Sequence, residues 1–304
     1  MVEIIASIEG MFREKDEGRV EMPAKIGIHP MPDALLHAMP ACISAQKAAG
    51  IKWVGAYPEN SKRGLPYVTG LVILNDYETG IPVALMDCTW LTAQRTGAAT
   101  AVAAKYLARP ESSSVGILGC GVQGRSNLEA LSVLFPLKKI FAYDKHADRA
   151  LRYAQEASGR YGIDAVPVSD PRQAVVASDI LVTAGPILRT PHATIQPGWL
   201  AEGAFASLVD FDSYWHAKAI HEVDKFCTDD VPQFEHYRGL GYFQNVPVIH
   251  ADLGELVTRR KPGRETQGER TMACNLGIAL DDMAVAPLIV ARALEKGIGR
   301  WLPL

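Results

Sequence analysis

No stretch of this chain is apolar over the roughly 18 residues that a membrane span requires, so no transmembrane segment is expected. The opening Met1-Val2-Glu3-Ile4-Ile5-Ala6 has neither a basic leader region nor a long apolar core, which argues against a secretory signal. Cysteine is scarce: Cys42, Cys88, Cys120, Cys227 and Cys274 are scattered and odd in number, and no C-x-x-C occurs. That distribution speaks against a disulfide framework or a zinc site and fits reduced thiols in a cytoplasm. Basic excess is lacking too. The net charge is −3 at pH 7, so neither nucleic acid nor an anionic membrane surface is an expected partner. The eight histidines show no metal-ligand spacing, and no metal is expected. Internal repeats, low-complexity tracts and charge blocks are missing. What is left, 48% hydrophobic and 21% charged residues in a chain of 304, describes a globular protein long enough for two cores.

Against that plain background one segment stands out. The apolar run Val115-Gly116-Ile117-Leu118 leads into Gly119-Cys120-Gly121-Val122-Gln123-Gly124, a G-x-G-x-x-G, and then into a helix-like stretch from Arg125 to Leu134. A second apolar run, Ile140-Phe141-Ala142-Tyr143, ends in Asp144. A dinucleotide site needs this layout: Gly119 for the tight turn, Gly121 for close approach to a diphosphate, Gly124 for close packing of helix on strand. The diphosphate would meet free N–H groups and the positive end of the helix dipole, beside Val122 and Gln123. Asp144 would accept hydrogen bonds from the adenosine ribose, which favours NAD. Lys145, His146 and Arg149 follow closely and keep NADP as an alternative. Cys120 sits where a small residue is required and reads as packing, not as a nucleophile.

Helical spacing of Ile4, Ile5, Ile8, Met11 and Phe12 predicts an opening amphipathic helix closed by Gly18. Leu35 to Ala49 is interrupted by Pro40 and its state is left open. Ile51 to Tyr57 reads as a strand, and the runs Tyr67–Leu74 and Ile81–Met86 flank a turn-rich hairpin loop. Thr89 to Leu107 predicts a helix whose weak point is Gly97. After Arg109-Pro110, strand and helix signals alternate as far as Phe205–Val209, which implies a parallel sheet wrapped by helices. The expected organisation is α/β: a second α/β domain over residues 1–110, a Rossmann-type domain over 111–279, and a helical segment at about 280–304 returning to the first. Pro287 is expected to kink that last helix or to start a new one. The strand-rich first part has more sheet than a small domain covers alone, so a homodimer is expected through it.

Further segments carry a resemblance to a known family. Lys52-Trp53-Val54 through Pro58-Glu59-Asn60, Thr79-Gly80-Ile81-Pro82-Val83-Ala84-Leu85-Met86-Asp87, Leu91-Thr92-Ala93-Gln94-Arg95-Thr96-Gly97-Ala98, Gly119-Cys120-Gly121-Val122-Gln123, Lys261-Pro262-Gly263-Arg264-Glu265 and Gly277-Ile278-Ala279-Leu280-Asp281-Asp282 together resemble the ornithine cyclodeaminase/mu-crystallin family. The resemblance spans nearly the whole chain. It implies that the dinucleotide domain is inserted into a second domain, residues 1–110, for substrate binding and dimerisation, and that hydride transfer occurs at a carbon that bears nitrogen and lies next to a carboxylate.

Such chemistry needs fixed cations for the carboxylate and one acid/base group for the nitrogen. Arg95 is the expected carboxylate clamp, since a guanidinium offers a bidentate fork; its place early in a helix would add the dipole's pull on an anion. Lys52, inside an apolar run, is expected to hold the carboxylate or polarise the C–N group. Lys25 stands where the family usually has arginine and is either a third substrate cation or a surface lysine. Asp212 aligns with the family's catalytic aspartate, just beyond the strand Phe205–Val209. The local Asp210-Phe211-Asp212-Ser213 departs from the family's glycine-rich pattern, which makes Asp210 a rival. Thr183, at another strand end, is expected to line the nicotinamide ribose. Trp53, Tyr57 and Tyr67 are candidates either for apolar walls of the site or for the core. Between Ala34 and Pro58 there is no Asp or Glu to hold a distal amine, which weighs toward a compact 2-imino or 2-amino acid. Three readings follow: an NAD(P)-dependent imine reductase or amino-acid dehydrogenase; as alternatives an ornithine cyclodeaminase, or a mu-crystallin-like ligand-binding protein.

Overall fold

The computed structural model describes residues 1–31 and 33–302. Helix α1 (Val2–Asp16) buries Ile4, Ile5, Ile8, Met11 and Phe12, the stripe its spacing predicts. An antiparallel sheet follows, built from β1 (Val20–Glu21), β2 (Ile26–Ile28), β3 (Leu35–Ile43), β4 (Ala48–Ala56), β5 (Val68–Asp76) and β6 (Pro82–Asp87). Its order is β1-β3-β4-β5-β6, with β2 also on the outer edge of β3.

The segment around Pro40, left open by the sequence, is strand β3. A proline cannot donate to a ladder and belongs where its N–H side is free. On that edge β2 pairs only with Leu36 to Ala38 and β1 only with Cys42 and Ile43. Pro40 falls in the gap between them and opposes Ile51 on its other side.

Helix α2 (Thr89–Leu107) joins the two sheets and is buried continuously from Leu91 to Ala104. Its run of small residues permits close approach on every side. Gly97 is required there: a Cβ would lie 2.3 Å from the carbonyl oxygen of Ser126 on the neighbouring helix.

The second sheet is wholly parallel. In chain order its elements are β7 (Ser114–Leu118), α3 (Val122–Leu134), β8 (Lys139–Tyr143), α4 (Ala147–Tyr161), β9 (Asp164–Pro167), α5 (Pro171–Val176), β10 (Ile180–Thr183), β11 (Phe205–Leu208), α6 (Ala217–Ile220), β12 (Lys225–Thr228), α7 (Val231–Gly239), β13 (Ile249–Asp252), α8 (Leu253–Val257) and β14 (Thr271–Cys274). The strand order β13-β12-β14-β11-β10-β7-β8-β9 reverses direction between β7 and β10. In doubly wound sheets, ligands bind at such a switch point, beyond the carboxyl ends of the strands.

Helix α9 (Ala279–Glu295) then crosses back and packs on α1, α2, β3 and β4. No new helix starts at Pro287: α9 runs through it. Met283 lies against Gly50 on the inner face of the antiparallel sheet. Pro303 and Leu304, the last two residues of the expected returning segment, lie outside the described residues.

Candidate active site

The glycine loop leaves β7 at the switch point. Gly119 has φ +105°, and a Cβ there would meet the Ala184 carbonyl oxygen at 2.5 Å. At Gly124 a Cβ would lie 2.4 Å from the Gly119 carbonyl oxygen and 3.1 Å from Ile117 Cγ2, so this glycine lets helix α3 sit against β7. Gly121 differs: apart from its own chain neighbours, nothing lies within 4 Å of its Cβ position. It is the N-cap of α3, and no side chain caps that helix. Open space before an uncapped helix N-terminus fits a diphosphate. Val122 and Gln123 begin the helix there.

Asp144 follows β8, and its carboxylate accepts the backbone N–H groups of Cys120 and His146, both at 3.0 Å. The side chain is thereby fixed beside the glycine loop, with Lys145 exposed next to it. Cys120 is buried and its thiol is pushed up to about 12 by burial, as a packing residue's would be. Thr183 ends β10 fully buried, and its hydroxyl donates to Asp210 Oδ1 at 2.6 Å. This bond commits the Thr183 side chain to Asp210 at the carboxyl end of β10.

Asp210 and Asp212 follow β11 and flank Phe211, which adopts φ +63°. Their roles diverge. Besides the Thr183 hydroxyl, Asp210 accepts the Gly185 N–H at 2.8 Å, and burial pushes its carboxyl up to about 7. Asp212 is raised by burial, with its own N–H and that of Phe243 opposing.

The cations come from the other sheet and α2. Lys52 lies on the inner face of β4 with Val54, opposite Val72 of β5, and is 1% exposed. Its Nζ is 2.8 Å from Oδ1 and 2.6 Å from Oδ2 of Asp282. Burial lowers its pKa, with Asp282 opposing. Arg95 contacts Asp281 Oδ2 and Asp282 Oδ1, each at 3.3 Å. Arg95 is the seventh residue of α2, beyond the first turn where the dipole acts, so the expected help from its own helix dipole is corrected; the buried carboxylates of α9 instead compensate its charge. Half-buried Lys25 donates to the Leu276 carbonyl oxygen at 2.8 Å and lies over the Tyr237 ring. Its ammonium is pushed down to about 7 by burial and by Arg95, with Asp229 opposing. His37 shares the Lys52 face, and burial, then Lys25, push it down to about 4.

Trp53 points to the opposite, outer face and is 43% exposed, which removes it as a wall of this site. Tyr57 and Tyr67 are half-buried. Sequence reasoning missed the roles of Asp281 and Asp282. The available signal was a pair of adjacent acids in the otherwise apolar run Ile278 to Ala286, since acids are rarely buried unless paired.

Gly119 to Gly124, Asp212 and the 276–282 segment all issue from the carboxyl ends of β7, β11 and β14. Fold and geometry define a two-domain, dinucleotide-binding α/β protein with a buried cluster of cations beside the cofactor loop. Residues 1–297 match the ornithine cyclodeaminase/mu-crystallin family, and the chain belongs to it. It is 36% identical to an alanine dehydrogenase of Archaeoglobus fulgidus over 98% of this chain and 92% of that protein. Its fold superposes with a TM-score of 0.89 on Thermococcus litoralis Delta(1)-pyrroline-2-carboxylate reductase in complex with NADH and L-proline, at 34% identity over 98% of this chain and 95% of that one. An archaeal alanine dehydrogenase dimer with bound NAD gives the same TM-score and identity over 100% of this chain and 95% of that one.

Proposed function

We propose that this chain is an NAD-dependent oxidoreductase acting on the C–N bond of a small 2-imino or 2-amino acid, working as an imine reductase or amino-acid dehydrogenase. The observation that carries the reading is the convergence of three cations, Lys25, Lys52 and Arg95, on the 276–282 segment, which leaves the same sheet edge as the glycine loop and Asp212. Relatives named alanine dehydrogenase and Delta(1)-pyrroline-2-carboxylate reductase support a compact substrate. No acid from 34 to 58 offers a seat for a distal amine, and His37, held neutral on that face, adds none.

When bound, NADH supplies the hydride that reduces the C=N carbon. Gly119, Gly121 and Gly124 open the loop to its diphosphate, Val122 and Gln123 bring the helix N-terminus, Asp144 and Lys145 take the adenosine ribose, and the Thr183 strand end borders the nicotinamide side. Arg95 and Lys25 hold the substrate carboxylate. Lys52 holds it too, or polarises the C–N group. Asp212 gives a proton to the nitrogen in reduction and takes one back in oxidation. Burial favours its protonated form, which suits a general acid. Asp210 is an anchor, its carboxylate committed to Thr183 and Gly185.

Residues 1–110 with 280–304 form the substrate-binding and dimerisation domain, and 111–279 the dinucleotide domain. The outer face of the antiparallel sheet carries exposed Trp53, Leu71, Ile73, Val83 and Leu85, an apolar surface that supports a homodimer. Five free cysteines support a cytoplasmic location.

The test is NADH oxidation with Delta(1)-pyrroline-2-carboxylate and with a panel of 2-oxo acids plus ammonia or amines. Net loss of NADH with formation of the amino acid is expected. Proline formed from ornithine with no net NADH change, or ligand binding without turnover, would overturn the reading.

A further inference from the structure

One peptide bond near the site is gripped from both sheets. The Leu276 carbonyl oxygen takes Lys25 Nζ at 2.8 Å, and the Gly277 N–H donates to Asp229 Oδ2 at 2.7 Å. The Leu276 N–H also points to Asp229. Lys25 lies between β2 and the chain start of the antiparallel sheet; Asp229 follows β12 of the parallel one and is fully buried. Gly277 has φ +70°, and a Cβ on it would sit 2.3 Å from Arg95 Nη1. The guanidinium therefore rests directly on this glycine. Two residues of the cation set thus take their position from a single peptide, and Asp229 is the carboxylate that fixes that peptide.

We propose that Asp229 is a positioning residue: by holding the Leu276–Gly277 peptide from the parallel-sheet side, it sets Lys25 and Arg95 to receive the carboxylate of a 2-imino acid. This rests on the reading of Lys25 and Arg95 as substrate cations. A carboxylate can accept two successive N–H groups, whereas an asparagine amide turns a donor toward one of them. Asp229→Asn therefore loosens the peptide without removing a cation. Gly277→Ala disturbs the same peptide by a different route, through a Cβ that must displace Arg95.

The charge environment makes the effect visible in pH. Lys25 faces Arg95, Lys52 and His37 and, on the acidic side, Asp229 and Asp282. Asp229 in turn faces Lys25 and Arg95 on the cationic side and Asp230 and Asp281 on the acidic side. Asp229 opposes the lowering of the Lys25 pKa, so losing its charge moves Lys25 deprotonation to lower pH. Carboxylate binding needs the ammonium, so KM in the variant should begin its alkaline rise at lower pH than in the wild type.

The experiment compares wild type, Asp229→Asn, Gly277→Ala and Asp230→Asn as full-length protein. It measures kcat and KM across pH, NADH affinity, and L-proline binding to the NAD-loaded protein. For Asp229→Asn and Gly277→Ala, substrate KM and the L-proline dissociation constant should rise by about tenfold or more, the usual weight of a hydrogen bond to a charged group. Their kcat and NADH affinity should stay near wild type. Asp230→Asn, which disturbs the neighbouring Lys15 pair, should lower melting temperature without this KM shift. If kcat and KM move in proportion, if neither moves, or if Asp230→Asn gives the same shift, the positioning role is wrong. A wild type that neither turns over nor binds these compounds would bring down the functional reading itself, and the positioning proposal with it.

Discussion

Lys52 and Asp282 form an ion pair closed off from water, with side-chain exposures of 1% and 0% and Nζ 2.6 Å from Oδ2. Arg95 Nε lies 3.3 Å from the other oxygen, so one carboxylate serves two cations from two different elements. The sharing explains how two buried positive charges coexist near an anion-binding site: each is compensated before substrate arrives.

An asymmetry in stability follows. Removing one partner of a buried pair typically destabilises by about 3–5 kcal/mol. Asp282→Asn deprives both Lys52 and Arg95 of their shared counter-charge and should fall at the upper end. Lys52→Met leaves Asp282 with Arg95 and should be milder. Urea unfolding midpoints decide it, and equal midpoints would argue against the sharing.

Proton transfer should be legible in opposed pH profiles. Asp212 has a pKa raised by burial. Reduction needs its protonated form, so kcat for reduction should fall as pH rises through that raised value. Oxidation needs the carboxylate, so its kcat should climb over the same range. Asp212→Asn should flatten both limbs and lower kcat by ~10²–10⁴ with NADH affinity retained. Asp210→Asn should lose far less activity and keep both limbs. The reverse outcome would make Asp210 the acid.

Cofactor choice turns on Asp144, whose carboxylate is pinned by two backbone N–H groups and cannot readily swing away from a 2′-phosphate. We expect NAD to be preferred over NADP, and Asp144→Ala to narrow or invert the ratio of kcat/KM, with exposed Lys145, His146 and Arg149 nearby. Loss of the two acceptors should also destabilise the fold by about 1–3 kcal/mol. A wide wild-type preference for NADP would reject the ribose assignment.

The homodimer is tested on the outer sheet face. Val83 and Leu85 are 52% and 59% exposed on β6, and a double change to glutamate should give a folded monomer by sedimentation. Wild-type protein that sediments as a monomer at micromolar concentration would dispose of the interface.

Much of the nucleotide half was legible from Val115 to Asp144, because a glycine turn between strand and helix is specified by residues close in the chain. The strands beyond Leu208 were not: Lys225–Thr228, Ile249–Asp252 and Thr271–Cys274 are four residues each and, unlike the final helix, do not stand out as apolar runs in a regular alternation. Trp53 proves to be neither wall nor core, since alternation along β4 sends it to the face opposite Lys52, and only pairing with β3 and β5 decides which face is inside.

By itself the sequence determined the fold class, the glycine loop and the residue types that the chemistry needs, since turns, helical stripes and strand alternation depend on neighbours a few positions apart. The tertiary structure alone decided which charges meet. Lys52 and Asp282 are 230 residues apart, and Lys25 and Leu276 are separated by 251. Strand order and the return of α9 bring them together, and burial then makes each buried charge depend on a partner that no local pattern names.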